Sequence, residues 1–440
     1  MKHTIRLLPR NDNSCGWINT LTPGHNFDSL KGKQSADWVI IGGGFTGLAF
    51  ARRMATAKPN EKIIILDAQN IGEGASSRNS GFAVATSSFG EKFNGEKLAE
   101  FKRINSINNA GIDSLRSIIH EHKIDCQWRE IGKYHCSAQP STKKAGDDFQ
   151  AWLDAAQVEH QVLNATDLAK RLGTDYYQNG VWTKDDVMLQ PAALVRGLSN
   201  TLAENVTLYD NSAVIQISTS KHAVHIRTDE GEITAKNIVI AGNGLLHKMI
   251  DKPTYTLPIT MTASLTRPLT SSEQAIMGNP KDWGILSLHP MGATVRYTAD
   301  HRILIRNTAT YKANPYLTDN QMQAAKQMHL NCLRQRFAML KDIDFEHTWQ
   351  GVLCVSRNSS SIFGQLAPRI YGAGCYNASG VSRGSAMGLA LADLALGEDN
   401  PLLSDVLQYP APTWMPPRPF LDIAMALEIR RKKLGARADV

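Results

Sequence analysis

Trp38-Val39-Ile40-Ile41 runs directly into Gly42-Gly43-Gly44-Phe45-Thr46-Gly47, and Leu48 to Ala57 then has the composition of a helix. An apolar run, a glycine turn and a helix in that order predict a strand that delivers the chain to a helix N-terminus. Gly42 permits the tight turn, Gly44 lets the backbone approach a pyrophosphate with no side chain between, and Gly47 lets the helix pack closely on its strand. The free N–H groups at the helix start then face the phosphates. A second buried-type strand, Lys62-Ile63-Ile64-Ile65-Leu66, ends in Asp67, about twenty residues past Gly47, where a carboxylate accepts from ribose hydroxyls. That carboxylate suits a free ribose 2′-hydroxyl and repels a 2′-phosphate, so NADP is disfavoured while NAD and FAD both remain open.

The next residues separate those two. Gly72-Glu73-Gly74-Ala75-Ser76-Ser77-Arg78-Asn79-Ser80-Gly81 is a second loop of small residues and backbone donors, which a nicotinamide enzyme does not need. Here the chain resembles the D-amino-acid-oxidase superfamily of flavoproteins, whose members usually carry a GxGASGRNGG-like loop after the ribose carboxylate. Gly72, Gly74, Ala75, Ser76, Arg78, Asn79 and Gly81 match, while Ser77 and Ser80 stand where glycine is more usual. The resemblance spans about residues 36 to 400. It implies an α/β fold, a Rossmann-like FAD-binding domain with an interleaved antiparallel-sheet substrate domain.

The resemblance also implies where FAD is held. In the first unit the contacts are Gly42, Gly44, Phe45, Thr46, Gly47, Asp67 and Ala68, followed by Gly74, Ala75, Ser76, Ser77, Arg78, Asn79, Ser80 and Gly81. Val214, beside the adenine, and the strand-end turn at Gly242 and Asn243 come from the middle of the chain. Gly380, Val381 and Ser382 open a later helix whose positive end faces the flavin ring, where it stabilises charge on the reduced ring. Phe82, Arg296, Tyr297 and Tyr376 are the substrate candidates. Arg296 and Tyr297 are adjacent on one expected strand, so only one of them can point to the ligand. Arg302 and Arg306, on the same sheet, are expected to face solvent or pair with acids.

The domain order expected from this reading is an N-terminal arm over 1–35, then FAD-binding segments over 36–120, 187–254 and 351–400. Substrate-domain segments over 121–186 and 255–350 are interleaved with them, and a C-terminal extension with an amphipathic helix occupies 401–440. From Lys97 to His120, Leu98, Phe101, Ile104, Ile107, Leu115, Ile118 and Ile119 recur mostly at three- and four-residue steps, which predicts a long helix with one apolar stripe.

Composition sets the outer bounds. The 440 residues are 42% hydrophobic and 20% charged, as in an ordinary globular protein. No run of eighteen or more apolar residues occurs, so no transmembrane helix is expected. Met1 to Trp17 lacks the apolar run and cleavage site of a signal peptide, and a cytosolic protein is expected. The six cysteines are scattered, with no CxxC and no metal-type pairing with histidine, so they read as buried thiols and no metal is expected. The formal charge of +7 owes much to Arg430, Arg431, Lys432, Lys433 and Arg437 in the last turns. No basic surface with stacking aromatics occurs outside that tail, so a nucleic-acid partner is not expected; a tRNA-modifying flavoprotein is the competing class.

Members of the superfamily take a hydride from a carbon that bears an amine; the cofactor breaks the bond, and the protein positions the substrate and excludes water. An amine bound neutral demands no acid–base pair. His289, His301 and His347 are candidates by residue type alone, and a lone histidine is more often structural. Some relatives attach FAD to a cysteine near the position of Cys354, which otherwise reads as a buried thiol. Gly292-Ala293-Thr294-Val295-Arg296, Asp300, Arg302, Trp349 and Gly351 are most similar to the branch containing γ-glutamylputrescine oxidase. A γ-glutamylputrescine-like amine, a secondary amine or an imino acid fits, with oxygen or a quinone as electron acceptor. Phe420, Leu421, Ile423, Ala424, Leu427 and Leu434, ahead of the basic cluster, form either a helix docked on its own protein or a peripheral contact with an anionic membrane.

Overall fold

The computed structural model describes residues 2–10, 12–87, 92–139, 142–250, 255–312 and 314–440. The expected segment end at 254 lies outside the described residues. Strand Gly32–Ile41 runs parallel between Gly231–Ile240 and Ile63–Leu66, with Val206–Tyr209 beyond the latter and Ile370–Gly374 beside the far end of Gly231–Ile240. These five strands are the parallel centre of a nine-stranded sheet. The apolar runs 39–41, 63–66 and 238–240 follow from burial on both faces. Trp38, Ile40, Ile63, Ile65 and Val239 pack with helices Phe45–Ala57, Leu98–His122, Pro191–Asn200 and Ser382–Leu396. Val39, Ile41, Ile64, Leu66 and Ile240 join Ile217, Ile226 and Ile233 in a second core.

The first strand is longer than the Trp38–Ile41 run suggests, because its polar first half, from Gly32, pairs with Gly231–Ala235. Helix Leu98–His122 follows the expected stripe and buries Phe101, Ile104, Ile107, Leu115 and Ile119. Val214 lies just before strand Gln216–Thr219.

A second sheet has eight strands, ordered Phe345–Ser356, Thr256–Thr266, Ile303–Thr310, Thr294–Tyr297, Trp283–Ser287, Lys133–Ser137, Asn179–Thr183 and His160–Asn164. Every neighbouring pair is antiparallel except Trp283–Ser287 with Lys133–Ser137. The exception falls where two distant stretches of chain meet, so no hairpin dictates direction there. One face of this sheet packs on helix Asp319–Arg336 through Ile303, Ile305, Leu330 and Leu333. Met261, Leu286 and Arg306 come from the same sheet to a cavity shared with the first one.

Two polar latches hold distant segments. Lys133 and Asp186 are both fully buried, with Nζ to Oδ1 at 2.8 Å, and Nζ also donates to the Thr86 carbonyl at 2.7 Å. The same Asp186 oxygen accepts from the Ala85 N–H at 2.8 Å. At the C-terminus, Asp439 is buried and accepts from Ser137 Oγ and the Ala138 N–H, both at 2.7 Å, while its carbonyl accepts from Arg336 at 3.1 Å. Helix Phe420–Ala436 is thereby tied to the eight-stranded sheet at one end.

Removing one partner of a buried ion pair strands the other charge. Lys133→Ala is therefore expected to lower unfolding free energy by about 3–5 kcal/mol, read as a shift of the urea midpoint at constant slope.

Candidate active site

The glycine turn is built as the sequence requires. Gly42 has a φ of +111°, a conformation that L side chains avoid. A Cβ on Gly44 would stand 2.5 Å from Ser76 Oγ, and one on Gly47 would overlap the Gly42 carbonyl. Helix Phe45–Ala57 starts with Gly44 at its N-cap and no side-chain cap, leaving backbone donors for an anion. The Phe45 N–H donates to Ser76 Oγ at 3.1 Å, which joins the turn to the second small-residue loop. Asp67 accepts from the Gly43 N–H at 2.9 Å and the Gln69 N–H at 3.0 Å. Burial pushes its carboxyl up, against those two donors.

One cavity of about 400 Å³ runs through these elements. Asp67, Ala68, Ser212 and Val214 line its ribose end; Gly42, Gly44, Phe45, Thr46, Gly74, Ala75, Ser76, Arg78, Asn79 and Ser80 line the middle. Gly242, Asn243, Gly380, Val381, Tyr376 and Phe82 also line it. Residues far apart in sequence thus converge as the motif reading expects. Gly47, Ser77, Gly81 and Ser382 do not line the cavity but stand behind it. Gly47 sets the packing of helix on turn, the Ser77 carbonyl faces the Cys15 thiol at 3.7 Å, and Ser382 Oγ donates to the Val84 carbonyl at 2.7 Å.

The far end is closed by helix Ser382–Leu396, which has no side-chain cap on its N-terminus. Tyr376 lies against the cavity, yet its hydroxyl is hydrogen-bonded to Thr46 Oγ1 at 2.6 Å. Its contribution to the cavity is therefore the ring. Arg383 is turned away, donating to Asn108 Oδ1 and Ser87 Oγ at 3.1 Å each.

Neither member of the Arg296–Tyr297 pair reaches the cavity, which corrects the expectation that one would. Tyr297 faces the helix side of its sheet, near Trp283, with its hydroxyl 2.9 Å from His301 Nδ1. Arg296 does turn toward the first sheet, but the carbonyls of Leu189 at 2.6 Å and Gly81 at 3.0 Å capture it, and it lies 5.2 Å over the Trp17 ring. Arg302 pairs with Asp300 and Glu346 at 3.0 and 2.6 Å, as expected.

Arg306 reverses its expectation. It lines the cavity, donates to Thr294 Oγ1, and has no carboxylate in ion-pair range among the described residues. Burial pushes its guanidinium down from the ordinary value, but a group that starts above 12 stays charged at neutral pH. The signal was the alternation Ile303-Leu304-Ile305-Arg306: the isoleucines face the helix, so Arg306 must face the other way. Met261, Leu286, Tyr316 and Gln350 also line the cavity without having been singled out from sequence.

His289, His301 and His347 do not line the cavity. Cys354 does, as a buried thiol in contact with Cys375. Among the described residues no cluster of metal ligands occurs. The cradle left open at Gly42 and Gly44, the two uncapped helix starts and the ribose carboxylate in one continuous cavity fit FAD. Helix Phe45–Ala57 and the loop Gly74–Ser80 would hold its phosphates, and Asp67 its ribose. When bound, FAD supplies a hydride acceptor.

Fold and site together define a flavin-dependent oxidoreductase. The family model described as FAD dependent oxidoreductase matches residues 37–394, and the chain belongs to that family. It is 26% identical to gamma-glutamylputrescine oxidoreductase of Escherichia coli (strain K12), over 93% of this chain and 96% of that one. It is 23% identical to the probable oxidoreductase OrdL of Haemophilus influenzae, over 86% of each chain. Among solved structures, glycine oxidase from Geobacillus kaustophilus is similar in fold, with a TM-score of 0.69 at 17% identity over 83% of this chain and 96% of that one. L-proline dehydrogenase from P. horikoshii has a TM-score of 0.65 at 16% identity, covering 85% and 96%.

Near Asp67, burial, reinforced by the Asp67 charge, pushes the Asp210 carboxyl up to about 6 against backbone N–H groups of Phe27 and Ile71. The folded protein then holds this proton more tightly than the unfolded chain, whose carboxyl titrates near 4. Stability is lost as pH rises from about 4 to about 6. Asp210→Asn is expected to raise the melting temperature at pH 8, by roughly 1–3 kcal/mol of stability, and to leave it nearly unchanged at pH 4.

Proposed function

We propose that this enzyme oxidises the C–N bond of an amine that also carries a carboxylate, such as a γ-glutamylputrescine-like conjugate or an imino acid, to the imine. Arg306 is the observation that carries this reading: a half-buried arginine whose guanidinium stands at the cavity wall with no acid in ion-pair range among the described residues. A cation partly withdrawn from water with no acid beside it carries a desolvation cost, and an anionic substrate group relieves that cost on binding. Met261, Leu286, Phe82 and the Tyr376 ring supply an apolar surround that excludes water and suits an amine in its neutral form. The relatives, which include a γ-glutamylputrescine oxidoreductase, a glycine oxidase and an L-proline dehydrogenase, support substrates of this class.

Anaerobic mixing with γ-glutamylputrescine, putrescine, L-pipecolate, proline, sarcosine and D-amino acids is expected to bleach the flavin band only with carboxylate-bearing amines. In Arg306→Leu, KM for the best of these is expected to rise about tenfold to a hundredfold, with the flavin absorbance spectrum unchanged. An unchanged KM would remove the carboxylate anchor.

A second reading concerns the electron acceptor. On helix Phe420–Ala436, Phe420, Ile423, Leu427 and Leu434 share one face and are 59–67% exposed, while Leu421, Met425 and Ile429 are half-buried on the other side. A helix apolar on two sides is ordinarily covered on both. Exposed Arg430 and Arg431 flank the outward stripe and Trp414 precedes it, a combination that suits an anionic bilayer surface. Such contact would bring a lipid-soluble quinone within reach, with oxygen as the alternative acceptor. Among the described residues no helix is long and apolar enough to cross a membrane. The protein is expected to sediment with phosphatidylglycerol-containing vesicles at low salt but not with neutral ones, and Leu427→Glu is expected to abolish sedimentation. Failure to bind anionic vesicles ends this reading.

A further inference from the structure

The N-terminal arm is fixed at two points on opposite sides of the cofactor cavity. On one side, Lys2–Thr4 pairs antiparallel with Gln216–Ser218, and the Ile5 N–H donates to the Ile215 carbonyl at 2.9 Å, next to the ribose-end residue Val214. On the other side, Cys15 and Trp17 are buried. The Cys15 thiol faces the Ser77 carbonyl, and Trp17 Nε1 donates to the Asn79 carbonyl at 2.8 Å. Trp17 is held further by the edge of Trp349, with ring centroids 6.3 Å apart, and by Gln190, whose amide donates to the Trp17 carbonyl at 2.6 Å.

The chain between these anchors has to cross the cavity. Leu8, Pro9, Arg10 and Asp12 line it, while Arg10 and Asp12 also reach solvent on their other side. The crossing is latched at its middle. Asp12 Oδ1 lies 2.8 Å from the Arg78 guanidinium, which is itself anchored by the carbonyls of Glu73 at 2.7 Å and Gln350 at 3.1 Å. Ser14 steadies the carboxylate, donating to Asp12 Oδ1 through its hydroxyl at 2.7 Å and its N–H at 3.2 Å. The Tyr316 hydroxyl hydrogen-bonds the Arg10 backbone from the opposite wall.

We infer that Leu8, Pro9, Arg10 and Asp12 strap the cofactor site, latched by Asp12 on Arg78, and that they control how fast FAD leaves. The cradle at Gly42–Thr46 and Asp67 supplies the affinity for the dinucleotide, and the strap supplies a barrier to its exit. Arg78 belongs to the cavity wall, whereas Asp12 acts through it and is a positioning residue. Breaking the latch leaves the sheet anchor and the Trp17 anchor in place, so the arm stays attached while its middle is freed to lift.

The test compares holoenzyme of the wild type, Asp12→Asn and Asp12→Glu. FAD release is followed as recovery of flavin fluorescence after dilution, alongside the melting temperature of each apoprotein. For an ion pair that is partly exposed, Asp12→Asn is expected to speed release roughly threefold to tenfold. Asp12→Glu, which keeps the charge, is expected to stay near the wild-type rate. Apoprotein melting temperatures and the flavin absorbance spectrum are expected to be unchanged in both. An Asp12→Asn release rate equal to wild type overturns the proposal. So does faster release that comes only with a lowered apoprotein melting temperature, which would make Asp12 a stabilising residue and not a latch.

Discussion

The backbone contact between the first helix and the last one on the sheet governs the arrangement. Gly388, on helix Ser382–Leu396, lies so close to helix Phe45–Ala57 that a Cβ there would overlap the Thr46 carbonyl and stand 2.8 Å from Ala49. One turn earlier, a Cβ on Gly384 would meet Thr46 Oγ1 and the Tyr376 ring at 3.2 Å each. At this separation the two helix starts are brought to the same cavity, and Tyr376 is left one place to lie, hydrogen-bonded to Thr46. Any larger residue at Gly388 would spread the helices and part the phosphate end of the site from the ring end, because packed interiors transmit volume changes instead of absorbing them.

Buried cations tie the eight-stranded sheet to loops beside the cavity. Arg296 is held by carbonyls at the end of the second loop, Lys133 by Asp186 and the Thr86 carbonyl, and Arg78 by carbonyls from two segments. Each of these charges carries a desolvation cost that is recovered only when every partner is in place. They therefore fix these loops on the eight-stranded sheet and tolerate little drift. Arg306 differs because its hydroxyl partner, Thr294, leaves most of the guanidinium unanswered at the cavity wall. Arg296 braces the fold through carbonyls, while Arg306 stands at the cavity wall with a single hydroxyl partner among the described residues.

Much of the cofactor site was legible in the chain because its determinants are local. Gly42, Gly44, Asp67 and the loop Gly74–Ser80 act through backbone conformation and short-range spacing, and they lie where the motif places them. The strand around Arg306 was legible in its alternation too, but which face met the cavity depended on helix Asp319–Arg336 covering the other. Arg296 and Tyr297 show the converse. Their alternation is correct, yet the carbonyls of Gly81 and Leu189, which intercept Arg296, come from distant parts of the chain that no spacing rule connects.

The sequence alone thus determined the strand–turn–helix unit and the dinucleotide it is shaped to hold, since both follow from φ preference, periodicity and backbone donors within a few residues of one another. Tertiary structure decided which arginine faces the cavity, which tyrosine hydroxyl is already engaged, and that the polar N-terminal arm crosses the cofactor site. Those outcomes turn on partners supplied by segments hundreds of residues apart, such as Thr46 for Tyr376 and Ser218 for Lys2, and on the cost of leaving a buried polar group without one.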